Sequence, residues 1–142
     1  MITISVLTFV LYYIIIMAGN ASVHIPKGRL FLIIMMQEEN TMHYKYTDIK
    51  AIVAEILENK KDEGGVKNIY FVGCGGSLGA LYPAKTFMER ESLTLKSGWV
   101  SSNEFVHSTP RDFGKNSIIC LACHKGNTPE TIAAAKLGKE LG

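Results

Sequence analysis

Apolar residues follow two different patterns along the chain, and each predicts a different kind of element. From Thr47 they recur at helical spacing, in the set Ile49, Ile52, Val53, Ile56 and Leu57. This stripe is typical of an amphipathic helix. Thr47 is predicted to cap its start. Gly64 and Gly65 are predicted to end it, since glycine readily takes the left-handed conformation that follows a helix.

The second pattern is a short apolar run without alternation, which predicts a strand buried on both faces. Residues 68–72, ended by Gly73, and residues 117–122 form two such runs. A weaker strand is predicted from residues 93–95 together with 98–100. Helices are predicted over 78–90 and 131–141, so the order from Thr47 is α-β-α-β-β-α. That order favours an α/β fold with a parallel sheet covered on both faces.

Pro83 conflicts with this pattern because it lies inside the helix predicted over residues 78–90. A proline inside a helix costs about 3 kcal/mol, since it removes a donor and its ring clashes with the preceding turn. The helix is therefore expected either to tolerate Pro83 or to begin near it.

The first 41 residues form a separate apolar segment, and no catalytic role is assigned to them. Residues 1–18 are nearly all apolar and reach the length of a membrane span. Residues 18–21 resemble a signal cleavage site, although no Lys or Arg precedes the apolar run. Three interpretations stay open: upstream sequence before a start at Met35, Met36 or Met42, a membrane anchor, and a cleaved signal. The predicted division is 1–41, a lead-in helix and linker over 42–66, and a domain over 67–142.

Charge and cysteine content limit the partners and the compartment. The net charge is +2 and the charged residues alternate in sign, so no basic stripe indicates a nucleic acid partner. Three cysteines are an odd number, which argues against a disulfide framework and favours a reducing compartment. We therefore expect a cytoplasmic protein, with a membrane as partner only if residues 1–18 are an anchor.

The first candidate binding loop, residues 73–79, follows a predicted strand and precedes a helix, where α/β sheets bind ligands. Its glycines permit positive-φ turns, and a helix N-terminus offers unpaired N–H groups to an anion such as phosphate. Gly75, Gly76 and Ser77 are the candidate contacts. Leu78 stands where a dinucleotide fingerprint needs a small residue, and a Walker ending is absent from the sequence. The alternative is a glycine-rich turn that binds nothing.

The second candidate loop, residues 123–131, has the same position after the next buried strand. Thr128 suits the N-cap and Pro129 the first helical position. The Thr128 hydroxyl, nearby N–H groups and the Lys125 ammonium could converge on the same anion. The candidate contacts at this point are Lys125, Thr128 and the N–H groups around Gly126. The alternative is plain helix capping, with His124 and Lys125 exposed to solvent.

Three motifs resemble those of sugar isomerase (SIS) domains, and the resemblance covers about half of the chain. The first loop resembles their C-G-x-S turn, and the second resembles their S-x-S-G-x-T-x-E-T loop. Residues 102–105 look like the S-E-F stretch in the isomerase half of glutamine-fructose-6-phosphate aminotransferase. Residues 136–142 are similar to the end of the helix that follows, and residues 97–99 look like fructoselysine 6-phosphate deglycase.

This resemblance implies a three-layer parallel-sheet SIS fold, flavodoxin- or Rossmann-like, of which the chain carries the first half. It also implies a sugar-phosphate ligand, an isomerase, aminotransferase or deglycase context, no metal or redox cofactor, and a homodimer or a second SIS lobe as partner. The resemblance implies that Ser77, Cys123, His124, Lys125 and Thr128 face the phosphate. Cys123 and Lys125 depart from the family, which has serine or another neutral residue there, so the ligand can differ from the usual one.

The acid and base of the family lie further along than Gly142, so the resemblance implies no catalytic residue in this chain. Glu104 is interpreted as structural, and little or no activity is expected in isolation. One alternative is a non-catalytic SIS sensor module, although such regulators carry a helix-turn-helix ahead of the domain. A remote alternative is a haem protein, because residues 120–124 match C-x-x-C-H.

Overall fold

A computed structural model describes residues 21–24, 32–36, 46–124 and 126–142. Within these ranges the chain forms five strands and four helices. They are β1 (Ala21–His24), β2 (Leu32–Met36), α1 (Tyr46–Asn59), β3 (Asn68–Gly73), α2 (Gly75–Glu91), β4 (Lys96–Ser101), α3 (Ser102–His107), β5 (Ser117–Cys123) and α4 (Pro129–Leu141).

The strands form one sheet in the order β1-β2-β5-β3-β4. β2, β5, β3 and β4 run parallel to one another, and β1 is antiparallel to β2. β3 lies between β5 and β4, and all six of its residues are buried, as are all seven of β5. The two unalternating apolar runs are thus central parallel strands, as predicted.

Helices cover both faces of the sheet. On one face Tyr70, Val72, Ile119 and Leu121 pack with Phe105 of α3 and with Ala134 of α4. On the other face lies α2, which contacts β3 and β4 and buries Leu81, Ala84 and Met88. Complete burial of a large apolar side chain contributes about 1.5–3 kcal/mol. The predicted α/β fold of three layers is confirmed.

The turn after α1 confirms one prediction at that helix and corrects another. Gly64 and Gly65 have φ of 92° and 75°, and the Gly65 N–H donates to the Lys60 carbonyl at 2.8 Å. The glycine pair therefore supplies the left-handed turn. The predicted cap at Thr47 is wrong, because α1 begins at Tyr46 and the extended residue that caps a helix must precede that position.

Pro83 does not mark the start of α2, which begins at Gly75 and runs through the proline. The prediction of a start near Pro83, or at residue 78, is therefore wrong. Pro83 is exposed, and so is Gly79, whose carbonyl would have accepted the missing N–H. Water can satisfy that carbonyl, which lowers the cost of the proline.

The region between α2 and β5 differs from the prediction in two places. Leu93 is fully exposed and β4 begins only at Lys96, so the predicted strand over 93–95 is wrong while 98–100 is correct. α3 was not predicted, and it is capped by the Ser101 Oγ, which accepts the Glu104 N–H at 3.2 Å. The order from α1 is thus α-β-α-β-α-β-α.

A buried lysine joins three segments at the amino edge of the sheet. Lys60 is 5 % exposed, and its ammonium donates to the carbonyls of Lys115 and Gly142, the latter at 2.9 Å. It also pairs with Glu63 at 3.7 Å. Burial lowers the pKa of Lys60, and the Glu63 carboxylate partly opposes this.

Asp112 ties the loop before β5 to the start of β3. The Tyr70 hydroxyl donates to the Asp112 carboxylate, and the Asn68 amide donates to the Asp112 carbonyl at 2.7 Å. The hydrogen bond from Tyr70 lowers the pKa of Asp112. Burial, together with the same bond, raises the pKa of Tyr70.

No helix in the described ranges is both long enough and apolar enough to cross a bilayer. The predicted anchor or signal over residues 1–18 lies outside those ranges. β1 and β2, which fall in the predicted segment 1–41, join the sheet beside β5. The division at residues 41 and 66 remains a prediction.

Candidate functional site

The carboxyl ends of β3 and β5 are adjacent, and the chain leaves them toward opposite faces. After β3 it enters α2, whose Leu78 carbonyl accepts the indole N–H of Trp99 at 2.9 Å. Trp99 is the β4 neighbour of Phe71, so α2 lies on the Phe71 face. After β5 the chain enters α4, which lies on the Tyr70 face. In α/β proteins such a divergence marks a crevice at the carboxyl ends of the two strands, which is where ligands bind.

The first candidate loop is in fact the opening turn of α2. Cys74 is the N-cap, with extended φ and ψ of −123° and 138°. Gly75 follows with φ of 52°, so a positive-φ glycine is present as predicted. The Ser77 N–H donates to the Cys74 carbonyl at 3.2 Å, which closes the turn. Gly75 and Gly76 are exposed and Ser77 is half-buried.

Space and charge at this turn suit an anion. A Cβ added at Gly75 or Gly76 would meet no atom within 4 Å beyond its chain neighbours and the adjacent backbone of its own helix. The first turn of α2 contains no acidic residue, and the first N–H groups of a helix lack intrahelical partners. Gly73 instead serves the fold, since a Cβ there would lie 3.0 Å from the Ala122 carbonyl oxygen and 3.1 Å from the Leu78 nitrogen.

The second candidate loop begins at buried Cys123 and ends at Thr128, the N-cap of α4. Gly126 has φ of 69°, and Pro129 occupies the first turn, as predicted. The Thr128 side chain makes no capping hydrogen bond. Its hydroxyl oxygen instead accepts the Cys123 S–H at 3.3 Å.

Two of the predicted contacts in this loop have less structural support. His124 is exposed, and Lys125 lies outside the described residues, so neither is joined to the rest of the site by a described contact. Glu130 contributes an acidic side chain to the first turn of α4. The structure therefore brings Cys123 and Thr128 together, and it provides the positive-φ glycine of the turn.

The connection between the two turns is a feature that sequence reasoning missed. The Ser102 and Thr131 hydroxyls lie 3.0 Å apart, and the Thr131 hydroxyl donates to the Cys74 Sγ at 3.7 Å. Ser102 is 0 % exposed and Thr131 is 5 % exposed. The available signal was a hydroxyl residue in the first turn of each of two helices that follow strands, α3 and α4.

Glu104 is exposed on α3, and its backbone N–H bonds the capping Ser101. The bond is made by the backbone and not by the carboxylate, so the structural interpretation of Glu104 remains a prediction. Within the described ranges, no group of three or more His, Cys, Asp or Glu side chains is arranged to hold a metal.

The two cysteines of the C-x-x-C-H pattern do not form a unit. Cys120 is 0 % exposed, and burial raises the pKa of its thiol to about 12. Because side chains alternate along a strand, Cys120 and Cys123 in β5 point to opposite faces of the sheet. Haem attachment needs both sulfurs on one side, so the geometry argues against that interpretation.

Known proteins resemble this chain in sequence and in structure. The chain is 40% identical over 77 residues to fructosamine deglycase FrlB of Bacillus subtilis strain 168, covering 54% of this chain and 24% of that protein. A crystal structure of a candidate phosphosugar isomerase from Salmonella typhimurium LT2 superposes with a TM-score of 0.57 at 44% identity, covering 62% and 26% of the two chains.

A second crystal structure, of a candidate phosphosugar isomerase from Bacillus subtilis, gives a TM-score of 0.54 at 37% identity and covers 63% of this chain and 28% of that one. No protein-family profile matches the chain. The chain thus spans about a quarter of the length of these relatives. In sequence and in fold it is homologous to one part of these deglycase and phosphosugar isomerase proteins, which confirms the resemblance to sugar isomerase domains.

Proposed function

We propose that the crevice between the carboxyl ends of β3 and β5 binds the phosphate group of a phosphorylated sugar or amino sugar. The chain would contribute this half-site to a protein of the sugar-phosphate isomerase or deglycase type. The observation that carries the proposal is the pair of glycine turns, at Gly75 and Gly126, that open α2 and α4 on the two sides of one crevice.

The first turn would supply backbone donors. Gly75 and Gly76 are exposed and have no side chain, so an anion can approach their N–H groups closely. Ser77 would add its hydroxyl from the same turn. Phosphate fits this chemistry because charge-assisted hydrogen bonds from N–H and O–H groups are short and strong.

The second turn would supply a hydroxyl and charge. The Cys123 S–H already donates to the Thr128 oxygen, so the Thr128 hydroxyl hydrogen is left to donate elsewhere. Cys123 would then orient the Thr128 hydroxyl, and its own contact with the phosphate would be weak. Gly126 would give the turn its shape, Lys125 would add positive charge near the anion, and the His124 ring would offer a hydrogen bond.

We further propose residues 67–142 as the unit that binds the phosphate, with residues 42–66 as its lead-in helix and linker. The chain's β4 is an edge strand in the described sheet, and an unpaired edge favours association with another copy or a second lobe. Homodimerisation, or docking of a second sugar isomerase lobe, is the expected assembly. No acid or base for the chemistry is assigned to this chain.

Calorimetric titration of the full chain with fructose 6-phosphate, glucosamine 6-phosphate and fructoselysine 6-phosphate tests the proposal. We expect at least one to bind, and Ser77→Ala to weaken it by about tenfold or more, the effect of losing one hydrogen bond to a charged group. Ser108→Ala is the control, since Ser108 is exposed and follows the C-terminal end of α3, whereas the N-terminal end of α3 faces the crevice. Binding by none of the three ligands, or equal losses in both variants, would overturn it.

A further inference from the structure

We propose that Ser102 and Thr131 are positioning residues for the phosphate site. They would act by holding the first turn of α2 and the first turn of α4 at a fixed separation, without touching the ligand. This inference rests on the function proposed above and assigns a task to a hydroxyl pair that the phosphate contacts leave unused.

The pair lies where all three parallel strands of the crevice region end. Ser102 directly follows β4, Cys74 directly follows β3, and Thr131 is the third residue of the helix that follows β5. Ser102 Oγ and Thr131 Oγ1 are 3.0 Å apart, and Thr131 Oγ1 is 3.7 Å from Cys74 Sγ. One short chain of polar atoms therefore joins the starts of α2, α3 and α4.

The hydroxyl pair reaches the opening turn of α2 through Cys74. Either hydroxyl can donate in the bond between Ser102 and Thr131, and Thr131 Oγ1 lies within hydrogen-bond distance of Cys74 Sγ. Cys74 is also the N-cap of α2, and its carbonyl accepts the Ser77 N–H. A displacement of Thr131 would thus pass through Cys74 to the turn that carries Gly75, Gly76 and Ser77.

Stability alone explains the pair poorly. Burying a hydroxyl costs free energy that its hydrogen bond only about balances, and an apolar pair of similar shape would be near neutral or better. A directional bond does more than an apolar contact at a binding site, because it fixes the distance between donors that must converge on one anion. The location of the pair beneath both turns is what this purpose requires.

Ser117 offers a matched control at the amino end of β5, the end of the strand away from the crevice. It is 3 % exposed, close to Ser102 in burial, and its hydroxyl is hydrogen-bonded to Asn68, Gly114 and Asp112. Ser117→Ala therefore removes a similarly buried hydroxyl, with more hydrogen bonds than that of Ser102, that lies far from the crevice. Its loss should lower stability without changing affinity.

The test measures the dissociation constant for fructose 6-phosphate and for inorganic phosphate, and the urea midpoint, in the full chain. Thr131→Val and Ser102→Ala are expected to weaken both ligands by about tenfold, the effect of about 1.4 kcal/mol. Thr131→Ser, which retains the hydroxyl, should stay within about threefold of wild type. Ser117→Ala should bind normally even where its urea midpoint falls.

Three results would overturn the inference. Normal affinity in Thr131→Val would show that the hydroxyl does not position the turns. Equal weakening in Ser117→Ala would show that affinity follows stability. A wild-type chain that binds neither ligand would remove the proposed function together with this inference. Should Thr131→Val fail to fold, Cys74→Ala tests the same link from α2, and unchanged affinity there would decide against the proposal.

Discussion

The ring of Tyr70 lies directly over Gly98, its neighbour in β4, so closely that a Cβ on Gly98 would overlap the Cδ1 and Cε1 atoms. The ring cannot easily move, because its hydroxyl is bonded to Asp112 and it forms a T-shaped contact with the Phe113 ring at a centroid distance of 5.5 Å. Glycine is therefore required at position 98, because the packing of the core holds the Tyr70 ring in one orientation.

Gly98→Ala should lower the free energy of unfolding by about 1–3 kcal/mol, the usual cost of overpacking a core. Gly79→Ala is the control, since a Cβ there meets nothing within 4 Å and alanine is favoured over glycine inside a helix by about 1 kcal/mol. Urea denaturation measures both. A Gly98→Ala variant as stable as wild type would contradict the packing of Tyr70.

Tyr70→Phe should lower stability at neutral pH and should lose that effect in acid. The pKa of Asp112 is lowered from its usual 3.8 by the Tyr70 hydrogen bond, so the folded state favours the carboxylate. The contribution is therefore present above pH 3.8 and is lost as the pH falls through the lower folded value.

Urea midpoints of wild type and Tyr70→Phe at pH 7 and at pH 3 or below measure this difference. The gap between the two proteins should narrow at the acid end. Tyr82→Phe is the matched control, because Tyr82 is 52 % exposed, and it should show no gap at either pH. A gap that is constant with pH would place the effect of Tyr70 elsewhere than at Asp112.

Lys60→Met should lower the free energy of unfolding by about 1.5–3 kcal/mol, the contribution of hydrogen bonds to a charged group. The variant leaves the Lys115 and Gly142 carbonyls without their donor. Lys61→Met, one residue along, removes only an ion pair with Glu58 whose side chains are 70% and 74% exposed. Such pairs contribute about 0–1 kcal/mol, so equal losses in the two variants would refute the buried role of Lys60.

Gly76→Ala should separate binding from folding. A Cβ at Gly76 meets nothing within 4 Å, so the fold should be as stable as wild type or more so. The same Cβ would occupy the space through which a phosphate reaches the backbone, and binding should fall by tenfold or more, roughly the loss of one charge-assisted hydrogen bond. Titration with the sugar phosphate that wild type binds best, alongside Gly79→Ala, tests this; unchanged affinity would exclude the opening turn of α2 as the contact.

The thiols should differ in reactivity in the native state. Cys74 is half-buried, whereas Cys120 and Cys123 are 0 % and 4 % exposed. Ellman's reagent should therefore titrate about one thiol quickly in buffer and all three in urea. Cys74→Ala should remove the fast phase. Fast reaction of Cys120 would contradict its burial in β5.

Local sequence predicted the elements whose signals are local. β3 and β5 were identifiable because their apolar runs are uninterrupted, and the start of α4 because Thr128 and Pro129 suit its first positions. The positive φ at Gly75 agrees with the glycine turn predicted there, whereas the positive φ at Gly126 was not predicted. The predicted features are set within a few residues of the chain, so a single sequence is enough to find them.

What escaped prediction depends on contacts between distant residues. α3 has only six residues, too few for a helical period, and it exists because Ser101 caps it and Phe105 is buried. The cost of Pro83 depends on whether Gly79 is solvated, which the pattern does not contain. The pairing of Ser102 with Thr131 joins residues 29 positions apart, and the burial of Lys60 depends on carbonyls further still along the chain.

The divergence of α2 and α4 from neighbouring strands has a mechanical consequence. A ligand bound between their first turns would be attached to both outer layers of the protein at once, with the sheet between them. Opening either layer would then require breaking contacts with the ligand. Sugar-phosphate binding at this crevice would therefore slow amide hydrogen exchange in α2 and α4 together, because one ligand would link the helices on the two faces of the sheet.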